Sequence, residues 1–233
     1  MLSCAQHGGV LTLTLARPER GNALAADLVE ALLAAVQAAP ADPALHTLVL
    51  RGQGRHFCTG LDLGDLDSSS DADWLWRLVR IETLLDALWR SPLATVALAQ
   101  GRAWGAGADL FAACERRIAA AGSTFRFPGA QFGIVLGTRR LAEHIGPGPA
   151  RALVIEGGEL DAGAALAAGL ASALGEAAEP VAPRVSAGTA AAVRAAARHD
   201  ASDADLAALV RSAAAPGLKA RIQAYRQAVL AAR

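Results

Sequence analysis

The run Gly101-Arg102-Ala103-Trp104-Gly105-Ala106-Gly107-Ala108-Asp109-Leu110 is a glycine-punctuated turn that opens straight into an apolar, helix-favouring stretch ending near Cys114. Lacking side chains, Gly105 and Gly107 permit backbone conformations closed to other residues and let another molecule approach the main chain. The turn therefore offers bare amides. A helix starting here points its unpaired N–H groups and the positive end of its dipole at whatever occupies the turn, which favours an oxygen that carries or develops negative charge. Asp109 stands about one turn inside that helix, an ionisable group among apolar ones. A second bend of similar character, His56-Phe57-Cys58-Thr59-Gly60-Leu61-Asp62-Leu63, predicts with the first a two-pronged cradle for a carbonyl oxygen. A dinucleotide-binding turn is the competing reading of Gly105-Ala106-Gly107, but it wants a third glycine where Leu110 stands.

Outward from the turn, Ala94 to Ala99 reads as the buried strand that feeds it, and Thr47 to Gly52 as the strand that feeds the second bend. Val10 to Leu15 alternates apolar and small polar residues in the manner of a half-buried strand. Asn22 then caps a helix with Leu24, Leu28, Leu32 and Val36 at helical spacing, stopped by Pro40 and Pro43. Asp67-Ser68-Ser69-Ser70-Asp71 is a polar spacer expected to be mobile. Ala72 to Arg90 is a long amphipathic helix closed by Pro92. Short strands follow at Arg117 to Ala121 and Thr124 to Phe127, then helices at Thr138 to Ile145, Ala150 to Glu156 and Ala162 to Ala168. Beyond Leu174 the composition shifts to alanine-rich helical patterns broken at Pro180, Pro183 and Pro216. The expected division is thus an α/β core over residues 1–175 and a helical C-terminal region over 176–233.

The chain has 233 residues, enough for one good core. Its 22 basic and 22 acidic residues cancel with no long single-sign block, which argues against nucleic acid as a partner. Apolar content is 53%, much of it alanine, and no window of the required length is apolar and charge-free enough to span a membrane. No export signal is read at the N-terminus, so the expectation is a cytoplasmic protein. Cys4, Cys58 and Cys114 are odd in number, far apart and without metal-type spacing, as expected of free thiols. No metal site is expected.

Five segments in order resemble the crotonase (enoyl-CoA hydratase/isomerase) superfamily. They are Arg17-Pro18 with Asn22-Ala23-Leu24, Phe57-Cys58-Thr59-Gly60-Leu61-Asp62-Leu63, Ser91-Pro92 through Leu110, Phe125 through Leu141, and Leu160 through Leu174 with Ala168-Gly169-Leu170. The resemblance implies an α/β fold, a spiral of ββα turns with a helical C-terminal trimerisation region. It also implies a homotrimer or a dimer of trimers, and an acyl-CoA thioester substrate with coenzyme A as part of the substrate rather than a separate cofactor. Carried over residue by residue, the family's oxyanion-hole amides fall on Thr59 and Ala106, and one of its two catalytic glutamates on Asp109. Arg17, Phe57, Gly60, Asp62, Trp104, Gly105, Gly107 and Gly129 fall in the substrate-binding segments.

The departures bear on the reaction. The second catalytic glutamate falls on Gly129, and the segment from Ala130 to Thr138 is shortened. Hydration needs a base to activate water and an acid to protonate carbon, whereas one carboxylate can take a proton from one carbon and return it to another. The expectation is double-bond isomerisation or hydration of an enoyl-CoA; the alternative is a non-catalytic CoA-ester-binding homologue.

Overall fold

The computed structural model describes residues 1–178 and 182–231. In chain order its elements are β1 (Leu2–His7), β2 (Val10–Leu15), α1 (Ala26–Ala38), β3 (Thr47–Gly52), α2 (Asp71–Trp89), β4 (Ala94–Ala99), β5 (Arg102–Trp104), α3 (Ala106–Ala112), β6 (Arg116–Ala119), β7 (Thr124–Arg126), α4 (Thr138–Ile145), α5 (Pro147–Glu156), β8 (Glu159–Asp161), α6 (Ala162–Ala168), β9 (Ala173–Leu174), α7 (Ala187–Ala196), α8 (Ser202–Ala213) and α9 (Leu218–Ala231). Short 3-10 turns lie at Pro18–Arg20, Ala39–Ala41 and Pro128–Phe132. Two sheets result. The larger has the order β1-β2-β3-β4-β6-β9, antiparallel only between β1 and β2, and the smaller is β5-β7-β8. This is the expected α/β class.

Strands covered on both faces read as unbroken apolar runs, which is why Thr47–Gly52 and Ala94–Ala99 are legible. Leu24, Leu28, Leu32 and Val36 of the α1 segment and Ile81, Leu85 and Leu88 of α2 pack with Leu48, Leu50 and Ala97 of that sheet in one core. Strand β1 is unexpected. Nearly all of it is exposed at the sheet edge, so it carries no alternation to read. Its signal is the Gly8-Gly9 pair, both at positive φ, a two-residue hairpin turn into β2.

Two local expectations are corrected. Asn22 is not a helix cap, because α1 starts at Ala26 with Ala25 before it. Asn22 is fully buried at φ 55°, where its side chain accepts from Arg17 N–H and donates to the carbonyls of Gln53 and His56. The Asp67-to-Asp71 spacer is tied down rather than loose. Ser70 and Asp73 form a reciprocal capping box for α2, Ser68 and Ser69 bond the Asp65 carbonyl, and Asp71 accepts from Lys219 N–H.

Past Leu174 the described residues hold one further set of elements, the helices α7 to α9. Pro183 and Pro216 precede α7 and α9, and Pro180 lies outside the described residues. The last two helices return to the site. Leu209, Ala213, Leu218 and Ile222 share a buried cluster with Leu66, Trp74, Leu78 and Ile134. Among the described residues no helix is long and apolar enough to cross a membrane.

Candidate active site

The two glycine bends meet. Cys58 N–H donates to the Arg102 carbonyl (3.2 Å) and Trp104 N–H to the Cys58 carbonyl (3.0 Å), which ties the bends together. Gly60, at φ 95°, lies so close that an added Cβ would stand 2.8 Å from the Trp104 carbonyl oxygen and 3.5 Å from Ala106 N. Gly105 has φ 53° and ψ −130°, a conformation essentially reserved to glycine, and Arg126 fixes it by accepting its N–H at 2.8 Å. Helix α3 starts at the next residue.

Only some of the amides at this junction are free to face a ligand. Thr59 N–H donates to the Gly21 carbonyl at 3.0 Å and Asp62 N–H to the Leu24 carbonyl at 3.2 Å, while Gly60 N–H is directed at the Cys58 sulfur. The expectation that Thr59 offers its amide is therefore corrected: that hydrogen is held inside the protein. Among the described residues, Leu61 N–H and Ala106 N–H meet no acceptor. Both residues line an apolar cavity of about 140 Å³.

Asp109 lies on the wall of the same cavity. It is 5% exposed, and its Oδ1 is buried without a partner. Burial raises its pKa well above the ordinary carboxylate range, the nearby Glu82 charge adds to the rise, and Arg140 opposes it. The carboxyl packs on Gly137, the left-handed residue (φ 66°) before α4, where any side chain would run into Oδ1. Glu82 is 2% exposed and held by Arg140 Nη2 at 2.6 Å and Nη1 at 3.1 Å. Arg140 also stands 3.5 Å from Asp205 of α8, which Arg139 grips with Nε and Nη2.

Of the residues read from the sequence, Thr59, Gly60, Trp104, Gly105, Ala106, Asp109 and Gly129 line the cavity. Four do not. Arg17 donates to Asp62 at 2.7 Å and to the Ala23 carbonyl, so this pair braces the second bend against the chain leaving β2. Phe57 is fully buried edge-on against Phe111, and Gly107 is a glycine because a Cβ there would strike the Cys58 carbonyl. Ile222 and Tyr225 of α9, with Leu78 and Ile134, complete the cavity, and nothing in the sequence placed them there. Tyr225 packs on Phe132 with ring centroids 5.1 Å apart. Among the described residues no group of three His, Cys, Asp or Glu could hold a metal ion.

The comparisons agree with this geometry. The family model described as enoyl-CoA hydratase/isomerase matches residues 5–228. The "Probable enoyl-CoA hydratase echA6" of Mycobacterium leprae is 39% identical over 182 residues, covering 75% of this chain and 71% of its own length. A crystal structure assigned to the enoyl-CoA hydratase/isomerase class from Bordetella parapertussis is 40% identical with a TM-score of 0.90, covering 96% of this chain and 97% of its own. The enoyl-CoA hydratase structure from Bacillus halodurans, 24% identical with a TM-score of 0.81 over 96% of this chain and 99% of its own, shares the fold. A match over nearly the whole chain, on a crotonase fold, shows that this protein belongs to the enoyl-CoA hydratase/isomerase family.

Proposed function

We propose that this protein moves a carbon–carbon double bond along the acyl chain of a coenzyme A thioester, converting a 3-enoyl ester to the conjugated 2-enoyl ester. One observation carries the reading: among the described residues a single carboxylate, Asp109, stands on the cavity wall, and Gly129 stands where the family resemblance places the second. The thioester oxygen takes hydrogen bonds from Leu61 and Ala106 N–H. Such donors hold the enolate oxygen more tightly than the neutral carbonyl and so lower the barrier to its formation. Asp109 removes a proton from C2, the C3–C4 electrons shift toward C2–C3, and the carboxyl returns the proton to C4. The carboxylate is restored at the end of each cycle.

Hydration is the second reading, and the neighbours' names favour it. It asks the one carboxylate both to activate water and to protonate carbon. The deciding experiment follows the conjugated-thioester absorbance with crotonyl-CoA and with a 3-enoyl-CoA. A gain of absorbance from the 3-enoyl ester with crotonyl-CoA left intact supports isomerisation. Equal or faster loss of absorbance from crotonyl-CoA makes the protein a hydratase, and binding of both esters without turnover makes it an accessory CoA-ester-binding protein.

The assembly we propose is a homotrimer. Ile155, Leu166 and Val193 are exposed on α5, α6 and α7 at 74%, 40% and 61%, an amount of bare apolar surface that association would cover. Sedimentation equilibrium at micromolar protein checks it, with three copies expected and a single copy overturning it.

A further inference from the structure

Among the described residues several buried polar atoms have no partner, and Asp109 Oδ1 on the cavity wall and Arg140 Nε are an acceptor and a donor of that kind. One is an acceptor when the carboxyl is ionised, the other a permanent donor. A buried polar group left unmet is costly, so native proteins seldom keep two of complementary kind in one neighbourhood. Their neighbourhood is shared. Gly137 packs on Asp109 Oδ1, and Arg140 follows three residues later on α4, hence on the same side of the helix. A helical arginine stem runs back toward the N-terminus of its helix, the end of α4 that Gly137 precedes. The remaining nitrogens of Arg140 are committed elsewhere: Nη1 and Nη2 hold Glu82, and Nη2 also faces Asp86 at 3.7 Å and Asp205 at 3.5 Å. Only Nε is left to serve the site.

We propose that Arg140 is a positioning residue for Asp109, its Nε–H joined to Asp109 Oδ1 through one ordered water. The inference rests on the reading of Asp109 as the proton carrier and gives that reading its missing support. A donor on Oδ1 fixes the carboxyl plane and favours the ionised base against burial. It replaces in part what a second carboxylate would have done to orient the first. The charged groups facing Asp109 are Glu82 from α2 and Arg140 from α4; behind Arg140 stand Asp86, Asp205 and Arg139, and Tyr225 from α9 is the other titratable group on the cavity.

Arg140→Lys keeps a cation for Glu82 and deletes the Nε donor. The variant is expected to melt cooperatively and to keep KM for the 3-enoyl ester within about twofold. Its kcat at neutral pH should fall about tenfold, with the rising limb of the pH–rate profile displaced upward by about one pH unit. An unchanged kcat and an unchanged limb overturn the proposal. A high-resolution crystal structure of the unmodified protein tests it without any substitution. A water within about 2.7–3.2 Å of both atoms supports it, and separate partners for each atom overturn it. Asp109→Asn separates the two ideas: retained turnover there removes the proton carrier itself, whereas loss there beside an unaffected Arg140→Lys removes only the positioning role.

Discussion

The two halves of this site are made of different material. The half we assign to the carbonyl oxygen is main chain, the N–H groups of Leu61 and Ala106, set by Gly60 and Gly105 in conformations that side chains resist. The half we assign to proton transfer is one side chain, Asp109, packed on Gly137 and within the electrostatic reach of Glu82 and Arg140. Main-chain donors are indifferent to the residue that carries them, so Leu61 can stand there as well as a smaller residue. A lone buried carboxyl has no such latitude, since its length, its proton affinity and its packing each act on the reaction.

The largest effect should fall on the side-chain half. Asp109→Asn keeps the shape of the cavity and removes the base, so turnover of a 3-enoyl-CoA should drop by about 10³-fold while the affinity for a saturated acyl-CoA stays within about threefold. Rapid-mixing assays beside calorimetric titration read the two quantities, and equal loss of both would erase the division of labour. The main-chain half is reached by Ala106→Pro. Ala106 is the first residue of α3, the position where proline is best tolerated, and its N–H has no internal partner to lose. The fold should survive, and kcat should fall by about 10²-fold or more, as for loss of one oxyanion donor.

Gly137→Ala tests the wrapping of the carboxyl. Its left-handed backbone costs a non-glycine residue about 1–2 kcal/mol, and the new methyl group would strike Asp109 Oδ1. A lowered urea midpoint should accompany a kcat loss of roughly tenfold, since about 1 Å of misplacement can cost up to 10²-fold.

The proton affinity of Asp109 has its own signature. Burial, then Glu82, raises its folded pKa, so the folded protein keeps this proton at pH values where the unfolded chain, near the ordinary value of about 3.9, has released it. The native state therefore binds more protons, and this group's contribution to stability falls as pH rises from about 4 until the folded pKa is passed. Asp109→Asn should be no more stable than wild type at pH 4 and progressively more stable above it. Urea titrations across pH read the difference, and a gap independent of pH would show that burial does not govern the group. Under the proposed isomerisation the same shift makes turnover rise with pH, because only the ionised form would accept the C2 proton.

What the sequence made legible follows the same division. The strands at Thr47–Gly52 and Ala94–Ala99 and the turn into α3 are local signals, an apolar run and a glycine pair, and Ala106 and Asp109 follow from them by counting along a helix. Gly129 was placed by the family resemblance rather than by a local signal, and it lines the cavity wall. Long-range relations were not. Arg17 and Asp62 read as ligand contacts until their mutual ion pair is seen, and Ile222 and Tyr225 reach the cavity only because α9 folds back more than a hundred residues later. The partner of a given amide is the extreme case, since a backbone N–H carries no residue type to betray it.

Thr59 makes that point measurable, with the smallest effect of all. Its N–H lies on the Gly21 carbonyl at 3.0 Å and its side chain against Gly21, so it fixes the entry of the bend rather than facing the thioester. Thr59→Ala keeps the amide and removes only methyl and hydroxyl groups that no hydrogen bond in the site uses, and kcat should stay within about twofold, inside the ordinary range of about 0.5 kcal/mol for a neutral substitution. An N-methyl or ester linkage at this position, introduced by semisynthesis, separates the two amides of the bend. If the hydrogen at residue 59 served the substrate, deleting it would cost as much as Ala106→Pro. If the Leu61 hydrogen serves instead, the change at 59 lowers the melting temperature and leaves the rate alone, while the same change at 61 lowers the rate and leaves the melting temperature alone.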